Sequence, residues 1–166
     1  MIQQIDPAEM SPGEFSHTVR QAVSRDNTSV VIIDSLNGYL NAMPSERYLL
    51  MHMHELLNYL GQQGVLTILV VAQHGMMGQS MQTPVDITYL ADTVIVLRYF
   101  EAGGELRQAL SVMKKRKGGH ERTIREMRLG PGGVHIGLPL REFHGVLTGV
   151  PTYTGREQML NENGRD

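Results

Sequence analysis

SVVIIDSLNGYL, residues 29–40, sets four β-branched apolar side chains in a row, Val30 to Ile33, and ends them on Asp34. A run with no polar alternation reads as a strand buried on both faces, the pattern of a parallel sheet. In such sheets ligands gather beyond the carboxyl ends of the strands. Asp34, with Ser35 beside it, is therefore a candidate for holding Mg²⁺ through the ion's retained water shell. Asp34 equally suits the cap of a short helical turn starting near Leu36. A carboxylate that serves a metal and a phosphate also needs a loop to hold the phosphate.

On the N-terminal side, Ser11-Pro12-Gly13-Glu14 matches a capping box with proline at the first helical position. Phe15, Val19, Ala22 and Val23 follow at helical spacing, which predicts a helix over residues 11–25. On the C-terminal side, Pro44-Ser45 opens a second helix whose Leu49, Met53, Leu56, Leu57 and Leu60 share one face, with Gly64 as its stop. VLTILVV, residues 65–71, reads as another buried strand, and Gln73 stands just past its end. Its neutral amide could orient a water or report on a phosphate, or simply anchor the loop. Strands alternating with helices argue for a parallel sheet built from right-handed crossovers.

The second half differs. HGMMGQSMQTPVD, residues 74–86, is too long and too rich in Gly, Met and polar residues for a tight connection, and reads as a functional or interface loop. DTVIVLRYFE and ELRQALSVMKKR flank Gly103-Gly104, and RTIREMRL and VHIG flank GPGG at residues 130–133. Both read as antiparallel hairpins appended to the sheet. Residues 156–166 are polar and read as a disordered tail after one domain over residues 1–155.

Composition narrows the functional classes. The chain has 166 residues, 41% of them hydrophobic, enough for one domain with a core. Its formal net charge of -2 supplies no global attraction to nucleic acid or anionic lipid. Without cysteine it has no disulfide, thiolate metal site or thiol nucleophile. No stretch has the length of an apolar membrane span, and the N-terminus lacks the basic and apolar regions of a secretory signal, which points to the cytoplasm.

Two further constellations could carry chemistry. KKRKGGH, residues 114–120, joins Lys and Arg to a Gly-Gly turn, a composition that suits phosphate oxygens and equally suits a solvated hairpin end. Strand alternation places Lys114 and Arg116 on one face and Lys115 and Lys117 on the other. His120 adjoins them. His52 and His54 are about 200° apart on a helix and cannot chelate one ion together. No G-x-x-x-x-G-K-[ST] sequence exists in the chain, and its glycine-rich stretches sit in hairpin turns rather than between a strand and a helix.

Taken together, VVIIDSLNGYL, ADTVIVLRYFE, SVMKKRKGGHERTIREMRLGPGGV and GVLTGVPTYTG resemble the KaiC-like branch of the RecA superfamily of ATPases. The resemblance runs over residues 1–155 and covers the second half of such a domain. It implies an α/β fold, a partial RecA-like P-loop NTPase core with a mostly parallel sheet flanked by helices and appended antiparallel hairpins. The phosphate-binding loop and the catalytic glutamates would belong to a part preceding Met1. By the same resemblance Asp34 matches the Walker B aspartate that holds Mg²⁺ through water, and Gln73 falls near the polar sensor position. Lys114 and Arg116 match the pair inserted into a neighbouring subunit's ATP site, with His120 in the same segment. Where clock members of the family autophosphorylate an adjacent Ser/Thr pair, this chain has Thr88-Tyr89.

The resemblance implies ATP and Mg²⁺ as cofactors, an ATPase activity that this stretch is not equipped to perform alone, and a signalling or regulatory role. It implies a homo-oligomer or assembly with intact KaiC-like subunits as the partner. A non-enzymatic interaction module is the alternative. A RecA-like single-strand DNA binder ranks below both, because residues 74–86 contain no Lys, Arg or aromatic side chain. Removing the central phosphate-loop strand of such a sheet would expose two edges. The strands matching residues 65–71 and 92–98 are therefore expected to close on each other or to be covered by a second chain.

Overall fold

In a computed structural model the chain is described over residues 10–41, 46–72, 88–148 and 150–155. It divides into two units, Met1–Gln73 with Thr83–Leu90, and His74–Gln82 with Ala91–Asp166.

The first unit contains helices α1 (Pro12–Asp26), α2 (Leu36–Asn41) and α3 (Glu46–Gln62), and strands β1 (Val30–Asp34) and β2 (Leu66–Val70). The capping box forms as the sequence predicts. The Ser11 hydroxyl accepts from the Glu14 backbone N–H, and the Glu14 carboxylate accepts from the Ser11 backbone N–H at 2.9 Å. The Ser11 side chain, followed by its backbone N–H, holds the Glu14 carboxyl below its ordinary value. Strands β1 and β2 pair in parallel, with Val30 opposite Leu66 and Asp34 opposite Val70.

Helices α1 and α3 bury one face of this pair. Val31 packs with Val23, Leu56, Leu60 and Val65, and Ile33 and Leu69 pack with Leu36, Tyr39, Leu49 and Met53. The strands were expected to be buried on both faces, but only one face is. Val30, Ile32, Leu66, Ile68 and Val70 are exposed, Ile32 by 62%. The continuous apolar run thus records two faces meant for cover, while the described residues of this unit supply one helical layer.

Tyr39 illustrates the cost of that packing. Its ring stacks at 5.2 Å from Phe15, but its hydroxyl is buried with no hydrogen-bond partner among the described residues. Burial pushes its pKa up to about 12. Because a buried unsatisfied hydroxyl costs about 1–3 kcal/mol, Tyr39→Phe is expected to raise stability by about 1 kcal/mol in denaturant titrations. In the folded state the phenol stays protonated above pH 10, so stability should fall as pH rises from 10 towards 12. The Phe variant should lack that alkaline loss.

The second unit is antiparallel. Strands β3 (Thr93–Ala102), β4 (Glu105–Lys115), β5 (Arg125–Gly130) and β6 (Gly133–Pro139) form a sheet in sequence order, followed by the short pair β7 (Phe143–His144) and β8 (Thr152–Tyr153). Gly103 and Gly104 both take positive φ, 63° and 76°, as the tight turn between β3 and β4 requires. Both hairpins appear where the sequence places them, but they form a sheet of their own. Among the described residues β2 pairs with β1, and β3 pairs with β4.

The inner face of this sheet carries Phe100, Ala109 and Val146 as a buried cluster, with Phe143 set edge-on to Phe100 at 5.8 Å. Gly145 allows the backbone of Val150 to approach closely. It has φ 74°, and a Cβ there would lie 2.5 Å from the Val150 carbonyl oxygen.

Candidate functional site

Asp34 occupies the last position of β1, at the carboxyl end of the parallel pair, and is exposed. Helix α2 begins at Leu36, so Ser35 takes the cap position and Asp34 stands one residue outside it. The Asp34–Ser35 peptide is cis. The geometry favours a carboxylate presented at a strand end over a helix cap.

Asn37, which sequence reasoning passed over, organises this end. Its side chain is buried and bridges to the neighbouring chain segment. Its Nδ2 donates to the Ala72 carbonyl and its Oδ1 accepts from the Ala72 N–H, both at 2.8 Å. This two-way amide contact fixes the backbone two residues beyond the end of β2. Gln73, the expected sensor residue, follows directly but lies outside the described residues, as does the loop over residues 74–86. The signal available in sequence was an Asn three residues after the strand-end Asp, which is indistinguishable from a turn residue until Ala72 is placed beside it.

One exposed carboxylate with a neighbouring hydroxyl suits a hard, strongly hydrated cation such as Mg²⁺, which takes few protein ligands and keeps several waters. It does not make a multidentate cage. Among the described residues no group of three or more His, Asp or Glu side chains could hold a metal ion. Thr88 and Tyr89 belong to the same unit, in a turn over residues 88–90.

The basic segment belongs to the second unit. The β3–β4 register shifts between Val94, opposite Lys114, and Ile95, opposite Val112, leaving Met113 as an extra residue. This bulge reverses the alternation along β4. Before it, Ala109 and Ser111 share the inner face with Val96 and Arg98, and after it Lys114 joins the same face opposite Val94. The ladder continues past Lys115 through the Arg116 N–H, which donates to the Asp92 carbonyl at 2.7 Å. Lys114 and Arg116 therefore share a side, as alternation predicts, although the strand ends between them.

The Arg116 guanidinium pairs with the Asp92 carboxylate at 3.0 Å, and both side chains are more than half exposed. A pair this exposed is worth about 0–1 kcal/mol, so Arg116 can exchange its partner for a phosphate at little cost. Lys115 donates to the Gly119 carbonyl at 3.4 Å, closing the turn in which Gly118 has φ 77°. His120 follows, and its Nε2 is buried with no hydrogen-bond partner among the described residues. Beyond it the Glu121 carboxylate accepts from Arg125 and Thr123, with Arg125 Nε at 2.8 Å, and these contacts lower its pKa. The turn is thus pinned on both sides, by Lys115 and by Glu121.

The expected residues accordingly fall into two groups, Asp34 and Ser35 in the first unit and Lys114, Arg116 and His120 in the second. Among the described residues no helix is long and apolar enough to cross a membrane.

Comparison with known proteins agrees with these features. A family model described as the KaiC ATPase matches residues 2–141. The chain is 32% identical over 109 residues to circadian clock protein KaiC3 of Synechocystis, covering 66% of this chain and 22% of that protein. It is 25% identical over 134 residues to the circadian clock oscillator protein KaiC of Picosynechococcus, covering 81% of this chain and 26% of that protein. The chain therefore spans about a quarter of the length of these curated relatives. A crystal structure of a KaiC-like protein from Pyrococcus horikoshii matches 76% of this chain and 57% of its own, with a TM-score of 0.65 and 24% identity, which supports the RecA-like fold. With the family model spanning most of its length, the chain belongs to the KaiC family of ATPases.

Proposed function

We propose that this chain is the Walker B and trans-finger half of a KaiC-type ATPase domain, with a regulatory or signalling role. The observation that carries this reading is the presentation of Asp34 at the carboxyl end of the parallel pair, beside a backbone that Asn37 clamps. A bound Mg²⁺ would supply positive charge that offsets the charge of the ATP phosphates. Asp34 would hold the ion through water, with Ser35 helping to order that water, and Gln73, by the family resemblance alone, would sense the phosphate.

Lys114 and Arg116 would reach the ATP site of a neighbouring subunit, where a Lys point charge and an Arg fork stabilise charge developing on the transferred phosphoryl group. His120 would support the same segment. Phosphate binding in P-loop ATPases depends on a loop of backbone amides and a Lys, and this stretch contains no such sequence. Efficient ATP binding and turnover would therefore need intact KaiC-type subunits as partners. The non-enzymatic reading, an assembly module without a phosphate role, is favoured only if Asp34 proves silent.

Titration of Mg-ATP into the purified chain, followed by heat, is expected to show weak binding or none. On mixing with an intact KaiC-type ATPase, a Mg-dependent change in turnover should appear and should diminish with Asp34→Asn. Tight stoichiometric binding by the chain alone would contradict the half-site. A change in turnover insensitive to Asp34→Asn would favour the assembly module.

A further inference from the structure

Met113 is the extra residue of the β4 bulge, between Val112, opposite Ile95, and Lys114, opposite Val94. Its side chain is 55% exposed. Among the described methionines Met51 is similarly open, at 51%, whereas Met53 and Met127 are 2% and 9% exposed. Exposure alternates over Met113, Lys114 and Lys115, so Met113 and Lys115 project to the same open side, two strand residues or about 7 Å apart. Both side chains are long enough to close that gap.

We propose that Met113 is a reversible oxidation site for hydroperoxides, and that its sulfoxide loosens the turn through Gly118 and Gly119. The chain has no cysteine, so methionine sulfur is the side-chain group a peroxide attacks first. A sulfur lone pair attacks one peroxide oxygen, and the S–O bond forms as the O–O bond breaks. The sulfur gives up two electrons, and the proton on the transferred oxygen joins the departing hydroxide as water. Negative charge develops on that departing oxygen, where the Lys115 ammonium can donate a hydrogen bond. The product then acts through the same lysine. Lys115 donates to the Gly119 carbonyl at 3.4 Å, a long bond that closes the turn in which Gly118 has φ 77°. A sulfoxide oxygen is polar where the thioether was not, and it draws the ammonium off Gly119. One of the two pins of the turn is lost, while the Glu121–Arg125 contact remains.

Neither step involves ATP, so the inference stands or falls apart from the nucleotide reading. Timed exposure of the full chain to dilute hydrogen peroxide, with sulfoxide at each methionine read by peptide mass spectrometry, tests the site. Met113 is expected to oxidise at least as fast as Met51 and ahead of Met53 and Met127. Lys115→Ala should slow Met113 relative to Met51 by roughly threefold or more. Amide hydrogen exchange over residues 117–120 should speed up on oxidation and return to the parent rate after treatment with a thiol-driven methionine sulfoxide reductase. Met113→Leu, treated alike, should keep the parent rate throughout. Both variants replace exposed side chains. Should either fail to fold, exchange in the unmodified chain before oxidation, after it and after reduction decides the matter. A Met113 rate indifferent to Lys115→Ala, turn exchange unchanged by oxidation, or a change that persists in Met113→Leu would overturn the inference.

Discussion

Replacing Lys114 and Arg116 together by alanine is expected to abolish the chain's support of ATP turnover in a partner, a loss of roughly 10³-fold. The assay pairs this chain with an intact KaiC-type ATPase whose own finger residues have been changed to alanine, so that only this chain can supply the cations. The effect should be large because an inserted cation stabilises charge that exists mainly in the transition state. Releasing Arg116 from Asp92 costs little by comparison, since that pair is largely exposed. Lys115→Ala with Lys117→Ala is the matching control. It removes the same charge from residues on the other side of the segment, and turnover should stay near the parent value. Equal losses from both pairs would mean that net charge, rather than the side selected by the Met113 bulge, is responsible.

The second large effect concerns the fold of the antiparallel unit. Phe100 is 1% exposed and packs against Ala109, Val146 and Phe143. Phe100→Ala is expected to cost about 3–5 kcal/mol, from lost apolar transfer and the cavity left in a cluster of few members. A cluster so small has little neighbouring material to collapse into the void. Denaturant unfolding followed by amide hydrogen exchange of β3 and β4 should report the loss, and a change below about 1 kcal/mol would show that this cluster is not what holds the unit together.

Local chemistry was legible wherever a short stretch decides its own conformation. Ser11 to Glu14 specify a capping box because donors and acceptors three residues apart satisfy one another, and Gly103-Gly104 specify a tight hairpin because both residues must take positive φ. Asp34 could be placed at a strand end from the apolar run before it. The basic cluster could be located, and with it the side shared by Lys114 and Arg116.

Relations between distant segments were not legible. Whether Val30 to Ile33 lie under one layer or two depends on which elements are present to cover them, and an apolar run is the same in either case. The pairing of Asn37 with Ala72 spans 35 residues and leaves no periodic trace. The Met113 bulge, which sets the face that Lys114 joins, arises from a register between two strands. The two hairpins appear as read, but their joining into one four-stranded sheet was not legible, because the β4–β5 contact is a choice of partner that neither strand's pattern encodes. The sequence alone therefore determined the helices, turns, strand-end aspartate and KaiC family membership, whose causes lie within a few residues or in the order of motifs. Only the tertiary structure decided which faces are covered and which are exposed among the described residues, since burial is a property of what stands opposite a side chain and not of the side chain itself.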